Sequence, residues 1–141
     1  PGMLRQEPLP HASGASLVLD AYNANPASMK ASIEAFCEEF KSKKLTLILG
    51  DMKELGADSP RFHRELGEWL ATLKLKAVYL AGPEMKPAAD ALAAAKPELL
   101  AAYALDSKSW PSKIKTTLTP GDALLFKASR AMRLEELAKA L

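Results

Sequence analysis

From Ser16 onward, five short apolar runs alternate with longer segments of helical spacing, and that alternation restricts the fold more than any single motif. The runs are "SLVLD", "LTLILGD", "KAVYLAG", "LLAAYAL" and "DALLFKAS", rich in leucine or β-branched residues. The segments after them are "NPASMKASIEAFCEEFKS", "SPRFHRELGEWLATLK", "PEMKPAADALAAAK", "SKSWPSKIKTTL" and "MRLEELAKAL". A strand followed by a helix and another strand returns to a parallel neighbour. The pattern therefore predicts an α/β fold, with a parallel sheet and helices on its faces.

The helix starts are marked by chemistry. Asn25 before Pro26 puts a capping side chain ahead of a first-turn proline; Ser59-Pro60 repeats the arrangement, and Gly82-Pro83 is a weaker form. In the second helix Phe62, Leu66, Trp69, Leu70 and Leu73 recur at three- and four-residue steps, one apolar stripe for the core. The opening "PGMLRQEPLPHASGA" reads as a linker or edge segment. Residues 1–15 are expected to join to a further domain, and residues 16–141 to form one.

At 141 residues, with 48% apolar and 26% charged, the chain suits one globular unit. A net charge of +2 gives no argument for nucleic acid or an anionic membrane, and no apolar run approaches the ~20 residues that span a bilayer. Cys37 is the single cysteine, so no internal disulfide can form; its apolar neighbours make it a small core residue.

Open parallel sheets bind ligands beyond the carboxyl ends of their strands. Three clusters occupy such positions. After the first strand come Asp20, Tyr22, Asn23 and Asn25, an acid for a ribose diol, a ring for a base and two amides for its edge. Asp20 and Asn25 could equally cap the turn, whereas Tyr22 and Asn23 exceed what a cap needs. After the second strand come Asp51 and Glu54, able to hold an ammonium or simply solvated, with His63 on the next helix, where an isolated histidine is commonly structural. After the fifth come Lys127, Ser129 and Arg130, an anion site or an exposed basic turn. No G-x-x-x-x-G-K-[ST] loop, G-x-G-x-x-G turn or G-x-S-x-G elbow is present, so any phosphate machinery lies elsewhere.

"DAYNANPASMKASIEAF", "LILGDMKELGADSPRFHRELG" and "KASRAMRLEEL" resemble, in order and spacing, consecutive motifs of the Mur ligase C-terminal domain. The resemblance runs from Arg5 to the final helix, and it is strongest to the members that add D-alanyl-D-alanine to UDP-N-acetylmuramoyl-tripeptide. It implies a Rossmann-like, mostly parallel sheet of five to six strands with helices on both faces. It also implies a bacterial cytoplasmic enzyme of peptidoglycan synthesis that uses ATP and magnesium. Of two further domains outside this chain, the first would bind the UDP end of the substrate and the central one would carry the phosphate loop and the metal, leaving this fragment inactive alone.

By that resemblance Arg5, Asp20, Tyr22, Asn23 and Asn25 would meet ATP, while Asp51, Glu54, His63, Lys127, Ser129 and Arg130 would line the acceptor side. Asp20→Asn in the intact enzyme would then raise the apparent KM for ATP and leave the fold intact. The chain departs from the family pattern twice: Leu19-Asp20 leaves one carboxylate where many relatives have two, and Ala128 replaces a glycine, which would be strained at positive φ. The alternatives are another Mur or folylpolyglutamate-type ligase, or a non-catalytic nucleotide- or peptide-binding module on the same fold.

Overall fold

The computed structural model describes residues 8–20, 24–129 and 134–141. Six strands form one sheet in the order β1-β2-β6-β3-β4-β5. β2 (Ser16–Asp20), β3 (Lys44–Gly50), β4 (Ala77–Ala81), β5 (Leu100–Ala104) and β6 (Asp122–Lys127) are mutually parallel. β1 (Pro8–Pro10) adds antiparallel to β2. Its two prolines lack the donors an inner strand needs, so it suits an edge. The expected edge segment is therefore in part a strand.

Alternate strand residues supply two cores. Val18, Leu47, Leu49, Val78, Leu80 and Leu125 face α1 (Pro26–Glu39), α2 (Ser59–Leu70) and α3 (Lys86–Ala95). Leu17, Ile48, Tyr79, Leu124 and Phe126 face α4 (Trp110–Lys115) and α5 (Leu134–Ala140). The α2 stripe packs as its spacing predicts: Leu66 and Leu70 are buried, and Phe62, Trp69 and Leu73 cover the first core. Cys37 is half-buried beside them, and burial followed by the nearby Glu34 charge raises its thiol above the usual range.

Asn25 caps α1 through a reciprocal pair with Ser28, each side chain accepting the other's backbone N–H at 2.9 and 3.0 Å. Ser59 does not cap α2 as expected. A 3-10 turn over Gly56–Asp58 leads into the helix, and the Ser59 hydroxyl is engaged with Glu84 and His63 instead. α4 is shorter than its segment because Thr116 and Thr117 turn their hydroxyls back onto the carbonyls of Lys113 and Ile114.

At the amino end of the sheet, buried Asp122 binds the Lys76 ammonium at 2.8 Å, with the Thr119 hydroxyl and N–H at 2.8 and 2.9 Å. Burial works to raise this carboxyl's pKa, and these donors outweigh it, so the group lies below its ordinary range. A depressed folded pKa stabilises above the unfolded value and is lost as pH falls through the folded one. Asp122→Asn is accordingly expected to lower stability by about 1–3 kcal/mol near neutrality. The gap should close as wild type is acidified below the carboxylate range. A gap in urea midpoints that persists unchanged in strong acid would show that the charge of Asp122 is not the cause.

Candidate functional site

The strand order decides what meets at the carboxyl end. β6, last in sequence, lies between β2 and β3, and the helix before it and the helix after it pack on the face opposite α1–α3. The helices that follow β2 and β3 therefore lie on the opposite face from the helix that follows β6, the reversal beside which open sheets bind ligands. Asp20, Lys127 and Asp51, 107 residues apart at the extremes, become neighbours.

Asp20 and Lys127 are register partners across β2 and β6. The ammonium lies 2.8 Å from Asp20 Oδ2, with side-chain exposures of 1% and 3%. The Ser32 hydroxyl donates to the same oxygen. Sequence reasoning missed Ser32, although a serine on the buried face of α1 beside Met29, Ile33 and Phe36 is a legible anomaly. As folded, Asp20 and Lys127 address each other, and neither presents an open charge to solvent.

Ser129 follows at the mouth. Its N–H donates to the Asp51 carbonyl at 3.2 Å, joining the β6 and β3 loops. Its hydroxyl is buried and has no hydrogen-bond partner among the described residues. An orphaned hydroxyl at this position is a group that a ligand can satisfy. Ala128 is buried and does not adopt positive φ, so the strain expected at the glycine replacement does not arise.

The second cluster turns out to be a brace. Fully buried Asp51 accepts from Met85 N–H at 2.9 Å and from Lys53 at 3.2 Å, tying the β3 loop to the start of α3. Lys53 continues to Glu84 at 3.0 Å, and Glu84 accepts from the Ser59 hydroxyl at 2.9 Å. Hydrogen bonding to Glu84 is the main reason that the Lys53 ammonium titrates higher than usual. The same bond, against opposing burial, holds Glu84 lower. Glu84 is not among the residues picked out from the sequence, although an acid just after Gly-Pro at a strand end is a legible signal.

His63 is fully buried. Its Nε2 accepts from Met52 N–H at 3.1 Å, which leaves Nδ1 to donate to the Ser59 carbonyl at 2.8 Å. Both nitrogens are thus spent on fixing the loop. Glu54 alone of this cluster is exposed, and its φ of 63° makes it the one described non-glycine residue in the left-handed region. Holding it there costs on the order of 1 kcal/mol.

Beside these loops a cleft of about 210 Å³ opens between α1 and α2, walled by Pro26, Phe62 and Trp69 over Met52 and Leu66. The Lys30 ammonium stands 5.3 Å from the Trp69 ring centroid at its rim. Arg5, Tyr22, Asn23 and Arg130, the remaining expected site residues, lie outside the described residues. Among the described residues no group of three or more histidines, cysteines or acids is arranged to hold a metal ion.

The Mur ligase, glutamate ligase domain matches residues 4–130. The UDP-N-acetylmuramoyl-tripeptide–D-alanyl-D-alanine ligase of Bacillus subtilis is 37% identical over 139 residues, 98% of this chain and 30% of that protein. The enzyme of the same name from Synechocystis is 36% identical over 84% of this chain and 25% of its own length. The MurF ligase of Thermotoga maritima, solved in complex with ADP, superposes with a TM-score of 0.77 at 34% identity, covering 99% of this chain and 30% of that one. MurF from Acinetobacter baumannii gives 0.81 at 26% identity over 96% of this chain and 29% of its own. The chain thus spans under a third of the length of these relatives, and by the family match and the fold together it belongs to the Mur ligase, glutamate ligase domain family.

Proposed function

We propose that this chain is the C-terminal domain of an ATP-dependent ligase that joins D-alanyl-D-alanine to UDP-N-acetylmuramoyl-tripeptide. The observation that carries the reading is the meeting of Asp20, Lys127, Ser129 and Asp51 at the carboxyl ends of three adjacent strands. Those residues come from the three stretches that resemble the family motifs. The names of relatives at 36–37% identity supply the substrates.

In this reading Arg5, Asp20, Tyr22, Asn23 and Asn25 form the domain's side of the nucleotide site. Arg130, Ser129 and exposed Glu54 form the acceptor side. Asp51 and His63 act through the loops they brace, and Lys127 acts through Asp20. Magnesium and the phosphate loop belong to the part of the ligase outside this chain. The family chemistry is activation of the tripeptide carboxylate as an acyl phosphate, followed by attack of the dipeptide amine. This domain's contribution is to close over the nucleotide and keep water from the activated acyl group. The setting is cytoplasmic.

The test uses the full-length protein. Phosphate release from ATP with UDP-N-acetylmuramoyl-tripeptide is expected to require D-alanyl-D-alanine, and the 141-residue chain alone should release none. Preferred incorporation of D-glutamate or of a diamino acid would reject the substrate assignment. A full-length protein that binds nucleotide and forms no amide would reject the ligase.

A further inference from the structure

The net charge of +2 conceals an asymmetry along the strand direction. The loops and helix ends that feed the amino ends of the parallel strands carry eight lysines: three at positions 41–44, two at 74–76, Lys96, and two at 113–115. Four carboxylates, Glu38, Glu39, Glu98 and Asp122, accompany them. Elsewhere, among residues whose side chains are described, eight cations face eleven carboxylates. Among residues whose side chains are described, these segments thus carry +4 and the rest −3.

These lysines share one surface. Lys44 N–H donates to Gly121 O at 2.8 Å, Lys43 Nζ to Pro120 O at 2.9 Å, and Lys76 N–H to Leu45 O at 2.7 Å, which ties three of the segments together. Among the described residues Lys44, Lys74, Lys96 and Lys115 make no ion pair. Lysines near helix C-termini also offset the helix dipole. Five helices end here, at about −0.5 each or roughly −2.5 together, so a positive surplus remains after that duty.

The residue types restrict the partner. All eight cations are lysines and none is an arginine, so the forked geometry that grips single phosphates is missing. Leu9 and Leu105 are the exposed large apolar side chains among the described residues, so no aromatic ring is offered for base stacking. The charges are spread over the loops entering four neighbouring strands, about 15 Å across at the spacing of a sheet. That arrangement suits a plane of diffuse negative charge.

We propose that the amino end of the sheet docks electrostatically on an anionic lipid surface. The face carrying Asp20, Asp51 and Ser129 then points away from the lipid, about 20 Å off at the rise of a strand. The inference stands independently of the ligase assignment, because it uses none of the residues of that site.

The test is flotation of the full-length protein with phosphatidylcholine vesicles, with and without phosphatidylglycerol, at low and high salt. Binding is expected only with phosphatidylglycerol and only at low salt. The triple variant Lys44→Glu, Lys74→Glu, Lys115→Glu is expected to lose roughly a hundredfold in partitioning, each lysine near the surface being worth about fivefold. Lys108→Glu, the same charge change in an exposed residue just beyond the carboxyl end of β5, is expected to leave partitioning within about twofold of wild type. Absence of binding at low salt, indifference to the triple change, or equal loss with Lys108→Glu would each overturn the proposal. So would binding to duplex nucleic acid without binding to vesicles.

Discussion

Replacing Asp20 with asparagine is expected to cost about 3–5 kcal/mol of folding stability, because it takes the carboxylate away from an ammonium that the sheet keeps buried. The 2.8 Å pair and its side-chain exposures of 1% and 3% leave water little room to substitute for the lost charge. This revises the expectation drawn from sequence, in which the change would disturb only the nucleotide. The companion experiment is the double variant Asp20→Asn, Lys127→Met, which removes both charges and should recover much of the loss, as apolar replacements of buried pairs do. Urea denaturation of the three proteins decides it. A single variant within 1 kcal/mol of wild type, or a double variant no better than the single, would remove the pair from any structural role. Activity lost on changing Asp20 therefore cannot be assigned to a nucleotide contact until stability has been measured alongside.

Gly82→Ala is expected to be nearly as damaging, at about 3 kcal/mol. Gly82 has φ of 112°, which side chains avoid, and a methyl group there would overlap the Asp51 carboxylate. Relieving the overlap would pull Asp51 from Met85 N–H and Lys53, and with it the carbonyl that receives Ser129 N–H. Gly56→Ala is the control. Its φ of 61° imposes the backbone cost, yet nothing lies within 4 Å of the added carbon. A loss of about 1 kcal/mol is expected there. Equal losses at the two positions would mean that crowding on Asp51 contributes nothing.

The sheet and its helices were legible because period and punctuation agree: "LTLILGD" is bounded and buried, and Asn25-Pro26 caps as those residues do anywhere. The candidate site was legible in place but not in wiring. Chemistry marked Asp20 and Lys127 separately, as a ribose acid and an anion-binding cation. Nothing local reveals that strands far apart in sequence put them in register. For a related reason the sequence left Asp51 and His63 between a ligand-binding and a structural role. A charged or titratable group after a strand looks the same in sequence whether it faces a ligand or braces a loop. The difference lies in what Gly82, Met85 and Met52 offer from neighbouring segments.

The insertion of β6 between β2 and β3 also bears on how such a chain is made. Of the long strands in this chain, β2 and β3 are synthesised first and do not pair with each other, since their shared partner begins only at Asp122. Until that segment emerges, β2 and β3 present facing apolar edges with an empty lane between them, the kind of surface that recruits the wrong strand. Completion of the sheet is therefore tied to synthesis of the segment that begins at Asp122. A product truncated before Asp122 would lack a middle strand of the sheet, and quality control would meet it as an open edge.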